Sequence, residues 1–194
     1  MFTGIIKHTG KISKIIKKRK GFELHLDTKL KISNKSTGTS ISINGVCLTL
    51  EKIQRKKLIF FISYKTFEIT NFKKIKTNDI VNIEKSLKFG DEIAGHFVQG
   101  HVDTIGKITS IKKRDKTWTM DIIVDKKFST LLVNKGSIAI NGVSLTIVKA
   151  IQNQFTLIII PHTLKLTNII ALKIKDIVNI EFDIVIKYLS KLKK

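Results

Sequence analysis

The sequence is poor in several residue types that mark common classes of protein. Its 194 residues include one cysteine, one proline, one tryptophan and two tyrosines. Cys47 cannot form an internal disulfide, which excludes a disulfide-rich scaffold and fits a reducing cytoplasm. No run of about 18 uncharged apolar residues occurs, so a membrane-spanning helix is not expected. The first residues lack a basic region followed by an apolar core, so we expect no secretory signal.

Acidic residues are also scarce, at 15 against 36 lysines and arginines, which gives a formal net charge of +21. Such an excess alone indicates a nucleic-acid or anionic-membrane partner. However, lysine and isoleucine are abundant in both halves, a bias typical of an AT-rich coding sequence, and we favour this compositional drift. A nucleic-acid-binding barrel also needs an aromatic stacking platform, whereas Trp118 and the two tyrosines are isolated in sequence. We therefore expect neither nucleic acid nor a membrane as a partner.

Several catalytic motifs are absent as well. No glycine-rich phosphate loop and no Gly-x-Ser-x-Gly motif occur. His96 and His101 are five residues apart and match no common zinc pattern, so we expect no metal site.

What the chain does contain is an internal repeat. Three blocks recur in the same order at an offset of roughly 97 residues, and the third, Asp-Ile-Val-Asn-Ile-Glu, is identical in both copies. The paired blocks are 1–6 with 97–102, 42–49 with 139–146, and 79–84 with 176–181. Two repeats of this length predict a tandem pair of domains rather than a solenoid.

Each half carries signals for short strands. Residues 11–16, 22–26, 48–53 and 58–63 are rich in Ile, Phe, Leu and Thr, and several alternate apolar with polar residues. Asn-Gly dipeptides at 44–45 and 141–142 favour tight turns because both residue types tolerate positive φ. Several short strands in fewer than about 100 residues predict a small closed antiparallel barrel.

Two short helices are predicted in addition. One covers 126–132, and the other ends the chain, where Val185, Tyr188, Leu189 and Leu192 form an apolar stripe behind the candidate N-cap Asp183. We interpret the stripe first as core packing, and alternatively as a surface that docks on another subunit.

Together, these motifs resemble those of the alpha-type riboflavin synthases. The opening Met-Phe-Thr-Gly-Ile-Ile, the two Asn-Gly-Val-x-Leu-Thr copies and Gly-His-Phe-Val-Gln-Gly-His at 95–101 carry the resemblance, which extends from residue 1 to about residue 187. It implies an all-β fold of two tandem six-stranded antiparallel Greek-key β-barrels with a short C-terminal α-helix. We expect an N-terminal lumazine-binding barrel at 1–96, a C-terminal one at 97–183, and a helix for oligomerisation at 184–194.

The resemblance also implies a reaction. Two molecules of 6,7-dimethyl-8-ribityllumazine react by four-carbon transfer to give riboflavin and 5-amino-6-ribitylaminouracil, without a metal or organic cofactor. The expected assembly is a cytoplasmic homotrimer in which each active site pairs the N-terminal barrel of one subunit with the C-terminal barrel of the next. The alternative is a non-catalytic, antenna-like protein that binds a lumazine or flavin.

By the same resemblance, the residues expected to be catalytic are His101, Ser144, Cys47 and Thr146. His101 is expected to transfer protons, and Asp183 is expected to assist from the C-terminal barrel. The expected pocket of the N-terminal barrel comprises Gly4, Ile5, Ile6, Cys47, Leu48, Thr49, Phe61, Ile62, Ser63, Tyr64, Lys65 and Thr66. The expected pocket of the C-terminal barrel comprises Gly100, His101, Val102, Lys135, Ser144, Leu145, Thr146, Ile159, Ile160, Pro161, His162, Thr163 and Leu164.

Four further positions complete these expectations. Phe2 is expected at an interface. Lys65 and His162 stand where many family members carry glutamate, and Asn141 stands where some carry aspartate.

Overall fold

Two closed antiparallel barrels make up most of the computed structural model, which describes residues 1–192. The strands of the first barrel are β1 (His8–Lys18), β2 (Gly21–Thr28), β3 (Ser40–Ile43), β4 (Val46–Gln54), β5 (Lys57–Ser63) and β6 (Ile80–Lys85). Those of the second are β7 (Thr104–Arg114), β8 (Thr117–Ile123), β9 (Ser137–Ile140), β10 (Val143–Ile151), β11 (Gln154–Ile159) and β12 (Ile177–Phe182). Both barrels have the same strand order, β1-β2-β5-β4-β3-β6 and β7-β8-β11-β10-β9-β12, as expected for a duplicated domain.

The four strands predicted from sequence all lie within β1, β2, β4 and β5, each of which is longer than its prediction. Because successive side chains of a strand point to opposite faces, residues two apart lie on the same face. Leu24 and Leu26 of β2 are accordingly both buried in the barrel core. A tight turn joins β1 to β2 between Lys18 and Gly21.

Each barrel has its own apolar core. Phe60, Phe72 and Ile83 are central to the first core, and Phe155 and Phe182 to the second. Burying one such side chain stabilises the fold by about 1.5–3 kcal/mol.

The segments that precede the barrels are exchanged between them. Ile6 belongs to the core of the second barrel, whereas Val102 packs against the core of the first. The two segments cross at Phe2 and Val98, whose backbones exchange hydrogen bonds of 2.7 and 3.0 Å. A division of the chain into 1–96 and 97–183 therefore describes the order of the strands, but not the packing of residues 1–7 and 97–103.

A buried asparagine network also joins the barrels. Its six members form three pairs separated by 97 residues: Asn44 and Asn141, Asn71 and Asn168, and Asn82 and Asn179. Asn168 Nδ2 donates to Asn44 Oδ1 at 3.0 Å, and Asn71 Nδ2 donates to Asn141 Oδ1 at 3.1 Å. Bonds such as these run from one half of the chain to the other. The network therefore fixes the orientation of one barrel relative to the other.

Three α-helices complete the fold. The six-residue helices α1 (Tyr64–Ile69) and α2 (Pro161–Leu166) each precede a 3-10 turn and were not predicted. The helix predicted at 126–132 is a 3-10 helix at Lys126–Leu131, capped by Asp125 Oδ1. None of the helices within residues 1–192 is long and apolar enough to cross a membrane.

The C-terminal helix α3 spans Ile184–Leu192, and the last two residues of the predicted helical segment lie outside the described residues. Val185 N donates to Asp183 Oδ1 at 2.9 Å, which confirms Asp183 as the cap. The interpretation of the apolar stripe as core is wrong, because its members are 52–80% exposed on the single chain.

Candidate functional site

Ser144, at the start of β10, lies directly against the N-terminal segment. Its backbone N–H donates to Gly4 O at 2.8 Å. A Cβ atom on Gly4 would lie 2.6 Å from Ser144 Cβ, and the φ angle of Gly4 is +76°. Only glycine both lacks a Cβ atom and readily adopts a positive φ angle. This contact therefore explains the glycine of the opening motif.

Cys47, at the start of β4, makes the equivalent contact in the first barrel. Its N–H donates to Gly100 O at 2.8 Å, and a Cβ atom on Gly100, at φ +77°, would lie 2.7 Å from Cys47 Cβ. The structure thus contains two related half-sites, one built on Ser144 and one on Cys47.

These contacts correct the grouping of the predicted pocket residues. Gly4 and Ile6 were assigned to the N-terminal barrel, but they lie against Ser144 and the core of the C-terminal barrel. Gly100 and Val102 were assigned to the C-terminal barrel, but they lie against the N-terminal one. Sequence order alone gives each motif to the repeat that it opens, and only the crossing of the two segments reverses the assignment.

His96, which was not among the predicted site residues, is a polar partner of Ser144. Its Nδ1 lies 2.7 Å from Ser144 Oγ, and the ring is buried. Burial lowers the pKa of the His96 imidazole, while the negative charge of Asp183 opposes the shift. In the described part of the chain, the buried Nε2 of this ring has no hydrogen-bond partner. A neutral imidazole held in this way can exchange a proton with the Ser144 hydroxyl.

The corners that follow β5 and β11 distinguish the two half-sites. In the first barrel Ser63 caps α1: Thr66 N donates to Ser63 Oγ at 3.1 Å, and the two hydroxyl oxygens are 2.9 Å apart. In the second barrel Ile160 occupies the cap position of α2 without a side-chain cap bond, and Pro161 begins the helix. The two corners therefore offer different polar groups to a ligand.

The remaining predicted site residues lie on these same elements. Leu48, Ile62, Ile159 and Leu164 are buried. Phe61, Leu145 and Thr163 are partly buried, whereas the exposed members are Ile5, Thr49, Tyr64, Lys65, His101, Lys135, Thr146, Ile160, Pro161 and His162. Lys135 is in a left-handed turn, and its N–H donates to Ile147 O at 2.8 Å.

Two single expectations are changed by the structure. Phe2 has no exposed surface and packs with Val98, Ala139 and Cys47 between the barrels, so it has no surface left for contact with another subunit. Asn141 Oδ1 accepts bonds from Asn71 Nδ2 and Asn179 N within the asparagine network. An aspartate at this position would offer the same acceptor oxygen, so the departure does not concern ligand contact.

Two cavities of the described chain are lined mostly by residues outside the half-sites. One of about 540 Å³ is lined by Ile5, Glu84 and the 86–94 connection, and another of about 700 Å³ lies between the barrels beside Asn71 and Asn168. Apart from Ile5, the described residues lining these two cavities are outside the predicted binding set. Within residues 1–192, no three His, Cys, Asp or Glu side chains lie close enough together to hold a metal ion.

Comparisons with known proteins match this duplicated architecture. The lumazine binding domain family matches twice, at residues 3–86 and 99–183. The riboflavin synthase of Photobacterium leiognathi is 37% identical over all of this chain and 89% of its own length. The chain belongs to the riboflavin synthase family.

Other members of the riboflavin synthase family show the same coverage. The enzyme of Buchnera aphidicola subsp. Schizaphis graminum is 39% identical over 94% of this chain and 89% of its own length. The Escherichia coli enzyme is 35% identical over 94% of this chain and 87% of its own length. Among solved structures, LumP complexed with riboflavin has a TM-score of 0.82 at 23% identity, over 94% of this chain and 99% of its own. At that identity, LumP shares the fold with this riboflavin synthase family member.

Proposed function

We infer that the chain is a riboflavin synthase, an enzyme that converts two molecules of 6,7-dimethyl-8-ribityllumazine into riboflavin and 5-amino-6-ribitylaminouracil. The observation that carries this inference is the pair of half-sites, in which Gly4 meets Ser144 and Gly100 meets Cys47. They occur in a chain whose curated relatives, matched over nearly its whole length, are riboflavin synthases.

A duplicated site suits a reaction between two copies of one substrate. Two related pockets that face each other hold both lumazine rings in place, so an encounter in solution becomes a positioned reaction. Such positioning is worth up to about 7–11 kcal/mol in the best intramolecular cases. The lumazine ring is electron-poor and its C7 methyl is already acidic, so the protein has to hold the rings, stabilise an anion and move protons.

The two half-sites carry different groups for this purpose. We assign Ser144 and its partner His96 to proton movement on the C-terminal side, where their atoms are 2.7 Å apart. Cys47 and His101 belong to the other half-site, with Thr146 and Thr49 as matching hydroxyls on β10 and β4. This difference distinguishes the molecule that donates the four-carbon unit from the one that accepts it.

The facing of the pockets requires more than one subunit, and we propose a homotrimer in the cytoplasm. Tyr64 and Ile160, both in the predicted pockets, are exposed on the single chain, as is the stripe of α3. A second subunit placed over these surfaces supplies the missing wall of each site. The free thiol of Cys47 fits a reducing compartment.

The antenna-like, ligand-binding alternative is compatible with the fold, because LumP, solved in complex with flavin mononucleotide and with 6,7-dimethyl-8-(1'-D-ribityl) lumazine, matches this chain with TM-scores of 0.81 and 0.80. The comparison of identities favours the catalytic function, because the riboflavin synthases are 33–39% identical to the chain, whereas LumP is 22–23% identical.

The direct test is to incubate the purified chain with 6,7-dimethyl-8-ribityllumazine alone, with a chelator present, and to follow riboflavin fluorescence. We expect one riboflavin for every two lumazines consumed. Ser144→Ala should slow turnover on the order of 100-fold, because it removes a positioned polar group. Ser110→Ala on β7 is the matched control and should be nearly silent. Lumazine that stays bound without forming riboflavin would instead support the antenna-like function.

A further inference from the structure

Glu181, near the end of β12, is a buried carboxylate that the predicted chemistry does not use. It is 3% exposed. Its Oε1 accepts from Gln99 N at 2.6 Å, and its Oε2 accepts from Gly100 N at 2.8 Å and His101 N at 2.9 Å. One side chain therefore binds three consecutive backbone N–H groups, and bonds to an ionised acceptor are about twice as strong as neutral ones.

These bonds hold the segment that completes the other barrel's half-site. Gly100 O accepts the N–H of Cys47, and Val102 packs against the core of the N-terminal barrel. We propose that Glu181 is a positioning residue for the N-terminal half-site: when ionised, it holds residues 99–101 against Cys47, and when protonated, it releases them. The proposal rests on the proposed function only in taking this half-site as a lumazine site.

Burial, together with the nearby charges, favours titration of Glu181 near neutral pH. Burial raises the pKa of Glu181 to about 7 and outweighs the bonds from Gln99 N and Gly100 N, which lower the pKa. The charge of Lys187 on α3 also lowers the pKa, and the charge of Asp103 raises it. Lys187 Nζ lies 3.0 Å from Asp103 Oδ2 and 3.1 Å from Oδ1. On the β9 side, the residue paired with Glu181 is the uncharged Ala139. The ionisable groups next to Glu181 are thus the Lys187–Asp103 pair, and His101 in the segment that it holds.

Glu84, 97 residues earlier on β6, provides an internal comparison. Its oxygens accept from Thr3 N at 2.7 Å, Thr3 Oγ1 at 2.8 Å and Gly4 N at 3.0 Å. Glu84 thus holds the segment that faces Ser144. The third backbone N–H differs between the two repeats: His101 N donates to Glu181, but its counterpart Ile5 N donates to Thr3 Oγ1 at 3.2 Å. Glu84→Gln is therefore a matched control: it changes the same kind of carboxylate contact with backbone N–H groups, but on a partly buried side chain and at the other half-site.

The test follows the amide signals of Gln99, Gly100 and His101 by NMR as a function of pH in the full-length protein. In the wild type and in Glu84→Gln, these signals should shift together with a midpoint near the pKa of Glu181. In Glu181→Gln the shift should be absent, and the apparent KM for the lumazine should rise about tenfold, the loss expected for one strong hydrogen bond. In the wild type, the same rise in KM should follow the amide midpoint as the pH falls.

Two further variants keep the test decisive if Glu181→Gln does not fold. Lys187→Met removes the favourable charge and should raise the midpoint, whereas Asp103→Asn should lower it. Midpoints that do not respond to either change, or amides that titrate while KM stays constant, would overturn the proposal. Amide shifts that behave as expected in a protein that binds lumazine but forms no riboflavin would support the proposal, while ruling out the synthase activity.

Discussion

At the scale of single residues, the two half-sites differ by few atoms. Ser144 and Cys47 occupy equivalent positions, each beside a glycine that no larger residue can replace. His96 adds a hydrogen-bonded imidazole on the Ser144 side. Under the proposed function, this symmetric scaffold offers unequal chemistry to two identical substrate molecules, as a reaction with one donor and one acceptor requires.

The lowered pKa of His96 leads to a prediction about stability and pH. The unfolded chain binds a proton on this ring below its ordinary pKa of 6.5, whereas the folded chain binds it only at lower pH. Its contribution to the free energy of unfolding is therefore complete above pH 6.5 and is lost as the pH falls. His96→Asn keeps an N–H group near the position of Nδ1 but does not titrate.

We expect the wild type to be more stable than His96→Asn by an amount that shrinks from about pH 7.5 to about pH 5.5. Urea denaturation followed by the fluorescence of Trp118 measures this difference. A difference that stays constant over that range would show that His96 keeps its ordinary pKa.

The residue scale also shows what sequence could not predict. Asn44-Gly45 and Asn141-Gly142 were correctly predicted to form turns, because turn formation depends on local φ preferences. The asparagine side chains, however, bond to partners as far as 135 residues away, as Asn179 Nδ2 does to Asn44 O. No local pattern marks such a pair, and the same limit concealed the contact between His96 and Ser144.

At the scale of elements, long strands were easier to predict than short helices. The alternation in β2 identifies a buried face over several residues, and a continuous apolar run, 58–62, marks β5. The helices α1 and α2 have six residues each, fewer than two turns, so no helical period can be recognised. The C-terminal stripe had a clear period, but amphipathicity alone does not tell which surface covers it.

The exposed stripe of α3 predicts a role in assembly. Leu189→Lys places a charge in the apolar face, and burying one leucine contributes about 1.5–3 kcal/mol. Association should therefore weaken roughly tenfold or more, as measured by sedimentation equilibrium. Ile151→Lys, at a similarly exposed position at the end of β10, is the control and should leave the assembly unchanged. An equal effect of both changes, or none from Leu189→Lys, would exclude α3 from the contact.

At the scale of the whole molecule, the two barrels are not structurally independent domains. Each carries its own core, but each also depends on a segment from the other half, with Ile6 in the second core and Val102 against the first. The glycine turns at 45 and 142 also meet closely, since a Cβ atom on Gly45 would lie 2.6 Å from Gly142 N. Exchange and contact of this kind make the relative orientation of the half-sites a property of the full chain.

The asparagine network should make unfolding of the two barrels cooperative. Asn82 Nδ2 donates to Asn141 O at 3.0 Å and to Asn168 Oδ1 at 2.9 Å, and Asn82 Oδ1 accepts from Asn168 N at 2.8 Å. Asn82→Ala leaves these buried partners in the other barrel unsatisfied, at about 1–3 kcal/mol for each group.

Two probes distinguish the unfolding of the two barrels. The fluorescence of Trp118, the only tryptophan, reports on the second barrel, where it lies on β8, whereas circular dichroism reports on both barrels. In the wild type, the urea transitions seen by the two probes should coincide. In Asn82→Ala they should separate, because the barrels no longer share their buried hydrogen bonds. Asn153→Ala removes a bond to Val124 O within the second barrel and should lower stability without separating the transitions. Coincident transitions in Asn82→Ala would mean that the crossing of residues 1–7 and 97–103 is enough to couple the barrels.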